Sequence, residues 1–319
     1  MEMPAGLKNE IERRAAQVGV KALSAAAEAM SQAYRAERGT GKRLVQGETA
    51  VLAYGAVRMP ATYGAVYKAL RLSMACYGGE VRSVLDVGAG TGAACWAAQA
   101  LLPTYAAYTC IEREPAMLAL GKGLMAEQEE LCDAEWILAD MTAGLGGQKA
   151  DLVMASYTLN ELTEQARTDM VSKLWEGTEG MLLIIEPGTP EGSRQLRAAR
   201  EQLIAAGAQI AAPCPHTDKC PMTGEDWCHF TARIARSRLH KQLKGGDVPY
   251  EDEKFCFLAA VRDEAAPAQA RILRHPNVQA GRVELTLCTA EGKWERRTVT
   301  KADKENFKRA RKSEQGEAF

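Results

Sequence analysis

The stretch LDVGAGTGAACWAA, residues 85–98, decides how the rest of the chain is read. A short apolar run leads into Gly88, Gly90 and Gly92, and an alanine-rich segment follows. That order is a buried strand, a tight turn and a helix. Glycines at such a turn let backbone amides approach a ligand closely, and the helix start favours a polar or anionic group. Working outward, VRSVLDVG, YTCIE, EWILAD, ADLVMAS and GMLLIIEP are apolar runs of buried-strand length, alternating with helix-forming stretches. This alternation predicts an α/β fold with a parallel, doubly wound, Rossmann-like sheet over residues 81–264. AQIAAP (208–213) and KFCFLAAVR (254–262) predict two more strands, with a cysteine-rich insertion at 213–250 between them.

The flanks read differently. Residues 1–80 form a helical N-terminal region, in which 6–38 is rich in Ala, Glu, Arg and Leu, and Pro60 is expected to interrupt a second helix near Arg58–Ala61. After the small-residue linker AAPAQA, residues 265–319 predict a small β extension (RILRHP, GRVELTLC, KWERRTVT) and a basic helix or disordered arm, KADKENFKRARK. The chain has 319 residues and 46% hydrophobic content, enough for a sizeable core. Its formal charge of −1 hides an asymmetry, because residues 229–319 hold 19 Lys or Arg against 13 Asp or Glu. A basic C-terminal third points to an anionic partner.

No apolar run reaches the length of a membrane span, and MEMPAGLKNEIERRAAQ carries acids where a signal or transit peptide avoids them. The expected location is cytoplasmic. In that reducing setting nine cysteines read as metal ligands or buried residues sooner than as disulfides.

Asp86 in front of the glycines completes DxGxGxG, which resembles the first motif of class I S-adenosylmethionine-dependent methyltransferases. The resemblance implies that the glycine turn wraps the methionyl part of the ligand. It further implies that Glu112, at the end of YTCIE, bonds the ribose hydroxyls and that Asp140, closing EWILAD, meets the adenine side. The alternatives are a dinucleotide fingerprint ending at Ala93, or three polar caps of strand ends. On the acceptor side, ASYTLNEL (155–162) lacks the Asn/Asp-Pro-Pro-aromatic signature of exocyclic-amine methylases. Asn160 and Glu161 are candidate acceptor contacts or simply the start of a helix, and no catalytic base is identified.

The segment PCPHTDKCPMTGEDWCHF (213–230) holds Cys214, Cys220 and Cys228, spaced more widely than a zinc knuckle. A fourth ligand would come from His216, His229, Cys256 or Cys288. In VELTLC, Cys288 shares the face of Glu284 and Thr286, the polar one, which is unusual for a cysteine that merely packs. Cys256, in FCFLAAV, reads as core. Four thiolates suit zinc or an iron–sulfur cluster, and spacing does not separate the two.

YGAVRMPATYGAVY, LDVGAGTGAACWAA, IIEPGTPEG, PCPH…CPM…DWCHF, YEDEKFCFL, the LC of VELTLC and the FKRARK tail together resemble the methyltransferase-like family of mitochondrial small-ribosomal-subunit proteins and their bacterial relatives. That resemblance implies a 4Fe-4S cluster on Cys214, Cys220, Cys228 and Cys288, and a role in small-subunit assembly and translation. Ribosomal RNA of the small ribosomal subunit would suit residues 296–312, where eight Lys or Arg stand against two acids. Two other readings compete with this one. They are an active RNA methyltransferase with a structural zinc site, and a nucleotide-dependent oxidoreductase, which would leave Asp86 and Asp140 idle.

Overall fold

The computed structural model describes residues 1–36, 45, 47–102, 104–222, 225–263 and 265–319. Four helices open the chain: α1 (Ala5–Val18), α2 (Val20–Ala36), α3 (Glu48–Val57) and α4 (Met59–Met74). The expected single helix over 6–38 is broken at Gly19, whose φ of 90° no helix accommodates. The second break falls at Arg58, with Pro60 in the first turn of α4, where its missing N–H costs nothing.

The strands and helices then alternate: β1 (Ser83–Val87), α5 (Ala93–Gln99), β2 (Ala107–Glu112), α6 (Pro115–Met125), β3 (Glu135–Leu138), β4 (Ala150–Ser156), α7 (Glu164–Glu176), β5 (Thr178–Pro187), α8 (Pro190–Ala205) and β6 (Gln209–Ala212). Next come β7 (Phe230–Ala235), α9 (Arg238–Lys244) and β8 (Tyr250–Val261). The sheet runs β3-β2-β1-β4-β5-β8-β6, with β7 also pairing β8. It is parallel from β3 to β5, and β8 enters antiparallel to β5 and β6. This is a Rossmann-like class I methyltransferase sheet with one reversed strand, where the sequence predicted a parallel one. The reversal follows from the connection: β7 and α9 occupy the insertion, and β8 folds back on β7 as a hairpin.

Both faces of the sheet are covered, which is why β4 and β5 are apolar almost without interruption. The first four helices and α5 pack one face around Leu70, Val84, Trp96 and Leu183. Helices α7 and α8 pack the other around Leu174, Leu182, Ile184 and Leu203. The helical N-terminal region therefore shares the main core. No helix among the described residues is long and apolar enough to cross a membrane.

The C-terminal part forms a second sheet from β9 (Ala270–Ile272), β10 (Asn277–Gln279), β11 (Arg282–Thr289) and β12 (Trp294–Thr300), followed by α10 (Lys304–Ala310). It has a small core of its own, with Ile272, Val283, Leu285, Leu287 and Val299. The residues after α10 are no free arm. Gly316 and Phe319 donate backbone hydrogen bonds to Ile272 and Ala270, which fixes the chain end on β9.

Candidate functional site

The strand order reverses between β1 and β4, and a crevice opens there beyond the carboxyl ends of the strands. A cavity of about 440 Å³ lies at this point, lined among others by Gly88, Gly90, Glu112, Ala139, Met141 and Tyr157. Gly88 and Gly90 both have positive φ, 72° and 56°. A Cβ on Gly88 would sit 2.4 Å from the Thr158 methyl, whereas one on Gly90 would meet nothing within 4 Å. The missing side chain of Gly90 therefore leaves its backbone open to whatever approaches the turn. Gly92 is turned inward, packed against Met125.

Glu112 is buried at the cavity wall and accepts from the amides of Gly90 (2.7 Å) and Glu114 (2.8 Å), so its carboxylate is locked to the glycine turn. Asp86 does not line the cavity. It lies buried beneath the turn, where the Cys95 thiol points to it at 3.8 Å. Burial, and next the nearby Glu112, push its carboxyl up to about 7. Asp140 is exposed and caps the short turn Met141–Ala143, accepting from the Thr142 amide and hydroxyl. Its neighbours Ala139 and Met141 reach the cavity.

The acceptor side holds residues that the sequence did not single out. Tyr157 has φ 59°, the one positive value among the described non-glycine residues, and such strain marks functional positions. Its hydroxyl donates to Glu253 (3.0 Å), and Arg58 lies 3.5 Å from the same carboxylate. Burial, reinforced by Glu253, pushes the phenol well above its ordinary range, so Tyr157 acts as a neutral donor. Asn160 and Glu161 also face the cavity. Asn160 donates to the Tyr157 carbonyl (2.8 Å), and Glu161 pairs with Arg113 (3.2 Å). Glu186 lies behind them, fully buried, accepting from the Leu159 amide, and burial raises it to about 7. A positive φ at a strand end leaves no composition signal, and Arg58 and Glu253 are far apart in sequence.

The second candidate site is the cysteine segment. Among the described residues no three His, Cys, Asp or Glu side chains stand in a metal-ligating arrangement. The four cysteines nonetheless converge. Cys220 and Cys228 pack with Cys288, Met222 and Leu273, while Cys214 lies close enough for its charge to act on Cys228 and Cys288. Cys288 faces the cysteine segment, its sulfur 3.4 Å from His216 Nε2. Cys256 is core, and its thiol donates to the Cys228 carbonyl at 3.0 Å. Burial, and then the neighbouring thiols, push Cys228 well above the ordinary thiol range and Cys288 up to about 12. Burial likewise raises Cys214, though Arg200 opposes it. These are neutral thiols at pH 7, and a metal would displace their protons.

The surroundings tie the segment to both sheets. Trp227 Nε1 donates to Gly188 O (3.0 Å) at the end of β5, and Gln315 donates to the carbonyls of His229 (2.9 Å) and Leu273 (3.0 Å). The basic residues Arg296, Lys301, Lys304, Lys308, Arg311 and Lys312 are exposed on β12, on α10 and beside it.

Residues 48–319 match the sequence family described as mitochondrial small ribosomal subunit Rsm22. The human ribosome assembly protein METTL17, mitochondrial, is 26% identical over 269 residues, covering 78% of this chain and 57% of that protein. The Rsm22-cox11 tandem protein 2, mitochondrial, of Schizosaccharomyces pombe is 24% identical over 326 residues, covering 84% of this chain and 43% of that protein. The chain thus spans about half the length of these relatives. Among solved structures, magnesium protoporphyrin IX methyltransferase from Synechocystis PCC 6803 with bound SAM superposes with a TM-score of 0.42 at 16% identity, over 72% of this chain and 90% of that one.

Proposed function

The chain belongs to the mitochondrial small ribosomal subunit Rsm22 family, and from that premise we propose that it is an S-adenosylmethionine-binding, methyltransferase-like protein of small-subunit assembly that carries a metal centre on four cysteines. The observation that carries the first half is the cavity at the β1/β4 switch point, with Gly90 open to it and Glu112 fixed at its wall. An adenosylmethionine bound there would supply an electrophilic methyl group. The chain's own contribution is positional: the Gly88–Gly90 backbone cradles, Glu112 offers its remaining lone pairs to hydroxyl donors, and Tyr157 presents a neutral hydroxyl.

The metal reading rests on the convergence of Cys214, Cys220, Cys228 and Cys288 from two sequence regions. Four thiolates fit a 4Fe-4S cluster or zinc, and His216, whose Nδ1 is buried with no partner among the described residues, stands beside Cys288 as a polar group in the wall. Ribosome assembly comes from the human relative's name and the small subunit from the family's, and the exposed basic face of β12 and α10 suits ribosomal RNA. Calorimetry with adenosylmethionine tests the cavity: heat from the wild type, weakened in Glu112→Ala, is expected, and none from the wild type removes the reading. Transfer of a radiolabelled methyl group to immature small subunits separates an active RNA methyltransferase from an assembly factor that only binds.

A further inference from the structure

Arg200 and Arg271 are among the most buried side chains of the molecule, 4% and 1% exposed, and neither touches a carboxylate among the described residues. Arg200 donates to the His216 carbonyl (2.7 Å) and lies close enough to Cys214 for its charge to act on that thiol, and its Nε has no partner among the described residues. Arg271 donates to the carbonyls of Pro213 (2.9 Å) and Gly316 (2.9 Å) and to the Cys76 sulfur (3.5 Å). In the β9–β11 pairing it stands directly opposite Cys288, so the two side chains share one face.

A guanidinium does not shed its proton inside a protein, and an unpaired buried charge is strongly unfavourable. Two of them beside four cysteines, with no carboxylate in contact among the described residues, leave a buried double positive charge that calls for an anionic partner. Four thiolates around a zinc ion, or around an oxidised 4Fe-4S core, each carry a net charge of −2. The two arginines match that value and sit on the two cysteines, Cys214 and Cys288, that come from opposite sides of the site.

We propose that Arg200 and Arg271 are the built-in counter-charges of the cysteine centre, positioning residues that make a dianionic tetrathiolate tolerable in a buried place. The inference rests on the reading of the four cysteines as one metal centre. It separates the arginines from ordinary structural hydrogen-bond donors, because a charge role predicts opposite effects with and without metal.

The test uses the full chain, stripped of metal under anaerobic conditions and titrated with Co²⁺, whose thiolate complexes absorb in the near ultraviolet and visible. Wild type is compared with Arg200→Met, Arg200→Lys, Arg271→Met and Arg271→Lys, and the thermal midpoint is recorded with and without cobalt. Each Met variant is expected to bind Co²⁺ about tenfold or more weakly, each Lys variant to retain most of the affinity, and the metal-free Met variants to melt no lower than wild type. Met variants that bind as tightly as wild type would overturn the counter-charge role while leaving the centre intact. Equal losses in Lys and Met variants, with the metal-free form destabilised, would reduce the arginines to structural donors. Absence of any cobalt thiolate band in wild type would instead remove the metal centre itself. Arg271 bonds three separate segments, so if Arg271→Met does not fold, the Arg200 pair decides alone.

Discussion

Both candidate sites bury charge, and they handle it in opposite ways. Around the cavity two of the buried groups are carboxyls, Asp86 and Glu186, which escape the cost by holding their protons up to about pH 7. Beside the cysteines the buried groups are guanidiniums, which have no neutral form to retreat to. The cavity's buried carboxyls therefore need no counter-charge, whereas the buried guanidiniums of the cysteine region call for an anionic partner. The two sites also differ in how they are assembled. Gly88, Gly90 and Glu112 lie at adjacent strand ends of one sheet, while Cys288 reaches Cys214, Cys220 and Cys228 only if the C-terminal sheet docks.

The largest effect should come from cutting that docking point. Cys288→Ala is expected to abolish iron, sulfide or zinc retention after anaerobic purification and to expose residues 265–319 to limited proteolysis. A structural thiolate centre supplies on the order of 10 kcal/mol, which the small core around Leu285 and Val299 does not replace. Cys132→Ser, at an exposed cysteine on the other side of the comparison, should change neither readout. Full metal content in Cys288→Ala would break the contrast, because the site would then be as local as the cavity.

Next in size is the cavity. Glu112→Ala removes the acceptor that holds the Gly90 amide and the hydroxyl-binding carboxylate together, so adenosylmethionine affinity should fall about a hundredfold, or ~3 kcal/mol. Metal content should stay unchanged. A coupled loss of both would show that the sites are not independent, and the link to inspect would be Trp227 on the Gly188 carbonyl.

Much of the first site was legible in the sequence and little of the second site's electrostatics was. The strands around the glycine turn announce themselves because they are buried on both faces, so that Val84, Ile111, Val153 and Ile184 stand in short runs that are mostly apolar. The polar-face position of Cys288 was likewise readable from the alternation in VELTLC. The structure puts that face against the cysteine segment, where Cys288 is buried. Strand β7 and helix α9 were hidden because FTARIARSRLH mixes its apolar residues with three arginines and a histidine. Arg200 and Arg271 were invisible for a related reason. An arginine in RAAREQ or in RILR reads as solvated, and only the three-dimensional closure of the C-terminal sheet buries it.

A pH profile sharpens the carboxyl half of the comparison. Below about pH 4, Asp86 and Glu186 are protonated in both folded and unfolded chains. As the pH rises toward 7, the unfolded chain releases these protons near 3.8 and 4.5 while the folded chain keeps them. Their contribution to stability is thus full at low pH and lost as the pH climbs through the folded values. Asp86→Asn should flatten the stability curve between pH 4 and 7 and gain on the order of 2 kcal/mol at pH 7, measured by urea unfolding. A slope unchanged in this variant would mean that another group holds the proton.

The smallest effect belongs to the exposed charges, which neither site buries. Deleting the basic tail is a poor probe, because Gln315, Gly316 and Phe319 are docked against the cysteine segment and β9, and their loss would unsettle the metal site as well. Charge reversal avoids this. Arg296→Glu and Lys308→Glu lie on exposed surface of β12 and α10 and leave the chain end in place. If small-subunit RNA lies along this face, each reversal should weaken binding several-fold, about 1 kcal/mol, at low salt and progressively less as salt is raised. Metal content and adenosylmethionine binding serve as internal controls and should not move. An RNA affinity indifferent to both reversals, at every salt concentration, would move the RNA off the C-terminal sheet. It would leave the cysteine centre with the single task of holding that sheet to the methyltransferase fold.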